Sequence, residues 1–219
     1  MKIQKVYDTY RILPSLQLHM LRVASVAKCI CESINVKVNT PQIIEACLLH
    51  DMGNILKFNM DLFPEFFQPE GKEYWQHIKD DFEHKYGTNE HEATLQIAKE
   101  IGVDKRVLEL IDVFKFSLAK ENYESHDLDR MICTYADMRV KPSGIVSLEE
   151  RLLDGRKRFK INKRHLEENE SFFNAMSLYL NNMEKEIFSQ TLIQPFDINE
   201  KTTTPIIEDL RNIELHISK

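Results

Sequence analysis

The sequence predicts an all-α fold, on three observations. Glycine and proline are scarce, six and seven in 219 residues. Strand-length runs of alternating β-branched and polar residues are few. Apolar residues instead recur at helical spacing through most of the chain. With 42% hydrophobic residues the chain has enough apolar material for a sizeable core, which excludes disorder of the whole.

The elements follow in order. In "LPSLQLHMLRVASVAKCICESI" Ser15 reads as a cap after Pro14, and Leu16, His19, Val23, Val26 and Ile30 share one stripe. His19 therefore lies on the apolar face. "NTPQIIEACLLHDMGNILKF" starts a second helix with Thr40 as cap and Pro41 at its first position, and Gly53 ends or bends it. An aromatic loop with two prolines spans 59–70. The helix "GKEYWQHIKDDFEHKYG" follows, closed by Gly87, and then "TNEHEATLQIAKEIG", on which His91, Thr94, Leu95 and Ala98 share a face. "DKRVLELIDVFKFSLAK" reads as one helix capped by Asp104, and "DLDRMICTYADMRV" as another that ends before Pro142. Ser147 and Glu150 form a capping box for "SLEERLLDGRKRFK". A long helix around "ESFFNAMSLYLNNMEKEIFSQ" leads to a tail from Pro195 with a short helical piece near "IIEDLRNIEL".

Composition narrows the function classes. A net charge of −6 argues against general nucleic-acid binding. The basic run "GRKRFKINKRH" reads as the solvated side of a helix. The start "MKIQKVYDTY" has no apolar leader core, and no later stretch approaches membrane-spanning length. A soluble, cytoplasmic protein without a membrane partner is expected. Cys29, Cys31, Cys47 and Cys133 lack paired CxxC spacing and read as reduced core thiols.

"ACLLHDMGNILKF" places His50 and Asp51 side by side in an apolar run. A buried carboxylate is costly unless it is paired or coordinates a cation. His19, His50, Asp51, His91 and Asp137 stand on apolar faces of four separate helices, and two imidazoles with two carboxylates among them make a mixed nitrogen and oxygen set. That donor set suits one Mn, Fe, Co, Ni or Zn ion, with Mg²⁺ less natural, and two carboxylates balance its charge. Arg22, one turn after His19, and Lys57, seven residues after His50, are candidate substrate-binding cations. Trp75, with Tyr74, is a candidate substrate contact in the aromatic segment. Arg139 faces away from Asp137 on an unbroken helix. Asp127 in "ESHDLDR" reads as a helix cap, so His126 carries little weight. Gly87 interrupts the seven-residue spacing of His77, His84 and His91, which argues against a second site there.

The order His, His-Asp, Asp resembles the HD superfamily of metal-dependent phosphohydrolases. The residues that carry it are His19 in "LHMLRVA", His50 and Asp51 in "LLHDMGNI", and Asp137 in "YADMRV", over roughly residues 15–160. The resemblance implies an HD-type metal-binding helical domain over 1–165, with 166–219 a C-terminal helix and tail packed on it. It implies that the four residues hold one divalent metal ion. His91 matches the first of the additional histidines of the family's binuclear branches, but the next helix contains no second one, so a single metal is expected. The single-metal nucleotidases of the family carry glutamate three residues after the HD aspartate, where this chain has Asn54.

The resemblance thus implies hydrolysis of a phosphate ester of a nucleotide or another small phosphorylated metabolite by a metal-activated water. Asp51 would orient that water, and His91 would protonate the leaving oxygen or bond the phosphate. A non-catalytic metal- or nucleotide-binding regulatory module is the alternative. An RNA-processing phosphodiesterase would want a basic groove. A homo-oligomer is compatible with the sequence.

Overall fold

A computed structural model of the chain describes residues 1–61, 64–161 and 166–217. Helices dominate, in the order α1 (Ile3–Thr9), α2 (Pro14–Ser33), α3 (Thr40–Leu49), α4 (Lys72–Tyr86), α5 (Glu90–Ile101), α6 (Lys105–Ile111), α7 (Ala119–Glu124), α8 (Leu128–Asp137), α9 (Leu148–Ile161), α10 (Leu166–Ser189) and α11 (Glu200–Leu210). Between α8 and α9 lies a small antiparallel hairpin of β1 (Val140–Lys141) and β2 (Gly144–Ile145). The fold class is all-α, as the composition and periodicity predict.

α3 is the centre. Every residue from Ile43 to His50 is buried, which marks a helix packed on all sides. α2, α6 and α8 pack against it, and α11 covers another face of α2. α10 lies on α7, α8 and α9. The apolar cluster runs without a break from Ile3 to Leu215. The predicted division after residue 165 lies outside the described residues. No helix among the described residues is long and apolar enough to cross a membrane.

Several local expectations change. α2 starts at Pro14 itself, with Leu13 before it, and the Ser15 hydroxyl caps nothing. Thr40 is the first residue of α3; the preceding Asn39 turns its N–H and its amide onto Asp129 at 3.0 and 2.6 Å. α3 stops at Leu49, before Gly53. The helix expected from Asp104 onward breaks after Ile111, and α7 starts afresh at Ala119. The Val113 carbonyl there accepts from the Asn122 amide at 3.0 Å and from the Lys115 N–H at 2.7 Å, so the helical ladder ends. α8 ends at Asp137 and its continuation becomes the hairpin. Pro142 cannot extend a ladder, and Gly144 takes φ +136°, a conformation that suits glycine. The capping box at Ser147 and Glu150, and the caps at Asp104 and Asp127, form as expected.

Arg139 is the buried tie of this end of the molecule. It is 3% exposed and donates from Nε to Val146 O, from Nη1 to the Tyr135 hydroxyl, and from Nη2 to Pro195 O and Ile198 O. Tyr135 in turn donates to Glu184 at 2.7 Å, which brings an anion to the network. One side chain thus fastens α8, the hairpin and the chain between α10 and α11. Arg139→Met should cost about 3–5 kcal/mol, because it strands several buried acceptors at once. Chemical denaturation checks this, and a loss under about 1 kcal/mol would mean that water replaces the guanidinium at little cost.

Candidate metal centre

The four predicted ligands come from three helices that meet at one end. His19 projects from the second turn of α2, His50 stands directly after α3, Asp51 follows it, and Asp137 closes α8. The close fit of α2, α3 and α8 brings these positions together. His19 Nε2 lies 3.3 Å from His50 Nε2, 3.4 Å from Asp51 Oδ2 and 3.2 Å from Asp137 Oδ1. His50 Nε2 lies 3.7 Å from Asp51 Oδ1 and 3.6 Å from Asp137 Oδ1. Bonds of about 2.0–2.2 Å to one ion set neighbouring ligand atoms roughly 3.0–3.6 Å apart. His19, His50 and Asp51 are thus close enough together to hold a metal ion. Each offers one ligand atom within 4.8 Å of the others. Asp137 meets both imidazoles.

The protein prepares His50 for this role. Its Nδ1–H donates to the Cys47 carbonyl at 2.8 Å, one turn back, which leaves Nε2 as the ligand atom. The Phe114 ring stacks on the imidazole at 4.3 Å between centroids. Burial by itself would push the imidazole toward its neutral form. The carboxylates of Asp51 and Asp137 outweigh that and raise its pKa to about 9 without metal. Burial likewise opposes ionisation of Asp137, but the bonds from His19 and His50 hold its carboxyl well below the usual range.

The other predicted residues are placed as follows. His91, in the first turn of α5, pairs through Nε2 with Asp112 Oδ1 at 2.6 Å. That turn lies beside the centre because the Gly53 N–H donates to Thr94 Oγ1 at 2.9 Å, and Gly53 is two residues after Asp51. A Cβ on Gly53 would come within 2.3 Å of the Glu90 carbonyl, so only glycine permits this approach. Arg22 is largely buried and faces the Pro142 carbonyl at 3.3 Å and Glu200 at 3.6 Å. Lys57 is exposed and pairs with Glu90 at 2.9 Å. Trp75 is 4% exposed, beneath Tyr74, so in this structure its ring is part of the core of α4. Asn54 follows Asp51 by one turn, its N–H on the Asp51 carbonyl at 3.0 Å.

Sequence reasoning missed Asp112, Phe114 and the Asn39–Asp129 contact. Asp112 had a signal, a lone acid inside the apolar run "LELIDVF". Phe114 had none, since nothing local sets its ring against a histidine 64 positions earlier. A cavity of about 760 Å³ lies elsewhere, lined among others by Arg139, Val146, Leu152, Glu184, Phe196 and Asn199 and by none of the four ligands. Its size does not make it the chemical site, because no convergent metal-ligand set lines it.

The family model of the HD domain matches residues 17–138, a span that takes in His19, the His50-Asp51 pair and Asp137. Searches of curated proteins and of solved structures found no match. With more than half of the chain matched and the His, His-Asp, Asp set drawn together, the protein belongs to the HD domain family.

Proposed function

We propose that the protein is a metal-dependent phosphohydrolase that cleaves a phosphate ester of a nucleotide or another small phosphorylated metabolite. The supporting observation is the convergence of His19, His50, Asp51 and Asp137 at separations that suit one divalent ion. Mn, Fe, Co, Ni or Zn matches the mixed nitrogen and oxygen donors better than Mg. Such an ion supplies Lewis acidity to a phosphoryl oxygen and acidity to a water.

The chain's own residues divide the remaining work. Asp51 presents both carboxylate oxygens to the centre and is placed to orient a water as well as to bind. Asn54, where related nucleotidases have glutamate, can hydrogen-bond but cannot exchange a proton. Proton delivery to the leaving oxygen then falls to His91, whose helix is tied to the chain just past Asp51 by the Gly53–Thr94 bond. Lys57 and Arg22 are the candidate partners of the substrate phosphate. The second reading is a regulatory HD module that binds metal or a nucleotide without turnover, and Asn54 is the observation in its favour.

Two outcomes are expected. Asp51→Asn should lose at least about 100-fold in turnover and most of its metal, while its helix content is kept; the amide supplies no charge to balance the ion. A panel of phosphoesters assayed with Mn²⁺, Co²⁺, Ni²⁺ and Mg²⁺, with and without chelator, checks this. Wild type that binds metal but turns over no ester would favour the regulatory module.

The second outcome concerns pH. Because the His50 pKa is about 9 in the metal-free site, metal must displace its proton below that pH. Affinity for Mn²⁺ should therefore rise by up to about tenfold per pH unit between roughly pH 6.5 and 8.5. The same shift acts oppositely on the stability of the metal-free protein. The contribution of a raised pKa is fully present below the ordinary value of 6.5 and is lost as pH rises through about 9. Calorimetric titration and thermal unfolding with chelator measure the two trends. A Kd independent of pH would contradict the proton-for-metal exchange.

A further inference from the structure

We propose that Asp112 is a positioning residue for His91, fixing its ring so that Nδ1 alone is left to deliver a proton to the leaving oxygen. The inference rests on the hydrolase reading above and adds the group that sets its proton donor.

Three observations carry it. His91 Nε2 and Asp112 Oδ1 are 2.6 Å apart, a short hydrogen bond. A carboxylate accepts and cannot donate, so Nε2 must carry the hydrogen. The bond from His91 keeps the Asp112 carboxyl below its ordinary pKa, consistent with an ionised acceptor. His91 is 17% exposed in its side chain and Asp112 60%, so the acid reaches in from the solvent side. Lys115 and Arg130 are the other charged groups that act on Asp112, Lys115 at 3.8 Å.

The backbone shows why this pair belongs to the metal centre. Asp112 and Phe114 are two residues apart, a reach of at most about 7 Å along the chain. One holds His91 and the other stacks on the ligand His50. From the opposite side, Thr94, one helical turn after His91, bonds Gly53 just past Asp51. The early end of α6 explains the geometry, since a continued helix would turn Asp112 and Phe114 to different faces.

The step balances simply. A bond forms from water oxygen to phosphorus and the bond to the ester oxygen breaks. A proton on His91 Nδ1, with Nε2–H held by Asp112, goes to that oxygen to give the free alcohol. The proton lost by the attacking water returns to His91 through solvent.

The test compares wild type, Asp112→Ala and Asp112→Glu, each loaded with Mn²⁺, on two phosphomonoesters of equal charge. One has a nitrophenol leaving group that departs unprotonated, and the other an alkyl alcohol that needs a proton. Asp112→Ala should lose roughly 100-fold in kcat on the alkyl ester but less than about threefold on the aryl ester. KM and Mn²⁺ content should hold, and Asp112→Glu should recover part of the loss. Equal losses on both esters, or no loss, overturn the proposal. Imidazole ¹⁵N NMR at alkaline pH reads the pairing without turnover. Wild-type His91 should show a single Nε2–H tautomer, and Asp112→Ala a mixture. An unchanged spectrum overturns the proposal even where no ester is hydrolysed. If wild type hydrolyses neither ester but the tautomer is lost in Asp112→Ala, the hydrolase reading fails and the control of His91 by Asp112 is supported.

Discussion

Two imidazoles and two carboxylates whose facing atoms lie between 3.2 and 3.7 Å apart must share positive charge. Three helices converge on this group, and none of the four residues can withdraw without leaving another half-buried and unbalanced. A proton on His50 is the least that satisfies the carboxylates, and it places one unit of charge where a divalent ion places two. A divalent ion would therefore balance the site's charge more fully than a proton does. α3 makes the difference large, because a helix buried from Ile43 to His50 gives water little access to compensate.

The helices that bring the ligands are fixed at their far ends. Asp129, in the first turn of α8, accepts from Asn39, which precedes α3, and from Arg106 of α6 at 3.0 Å. Burial disfavours its charge, and these donors hold its carboxyl below the ordinary range nonetheless. Asp129 and Asp137 stand near opposite ends of α8, so this anchor sits about 12 Å from Asp137 along the helix. Pinning the helices at a distance fixes their mutual angle, and the angle fixes the ligand separations. The ligand ends of α3 and α8 are thus held by contacts made away from the centre.

The fold class and the four ligand positions were legible because they depend on periodicity and on charges out of place in apolar runs. His19 on the stripe with Val23 and Val26, and His50-Asp51 between Leu49 and Met52, are anomalies of that kind. Helix ends were less legible where tertiary contacts override local chemistry. Ser15 looks like a cap, but Pro14 already fits the first helical position. "VFKFSL" looks helical until Asn122 takes the Val113 carbonyl. Trp75 reads as a possible stacking surface, yet α4 turns it inward. Which aromatic ring faces solvent is decided by packing partners that one segment does not reveal.

Placement of the cations bears on how a phosphate would be held. Arg22 and Lys57 both carry acidic partners, Glu200 and Glu90. Neither offers uncommitted charge. The two cations differ in what release would cost. Lys57 is 58% exposed, and an exposed pair with Glu90 stabilises by about 1 kcal/mol or less. It can exchange a carboxylate for a phosphate readily. Arg22 is 17% exposed and shares Glu200 with the Ile145 N–H, which accepts no substitute without moving the hairpin. Glu200 also fills the space where Gly144 lacks a Cβ. Arg22 thus serves first to hold α11 and the hairpin against α2, and of the two ion pairs that of Lys57 is the less costly to open.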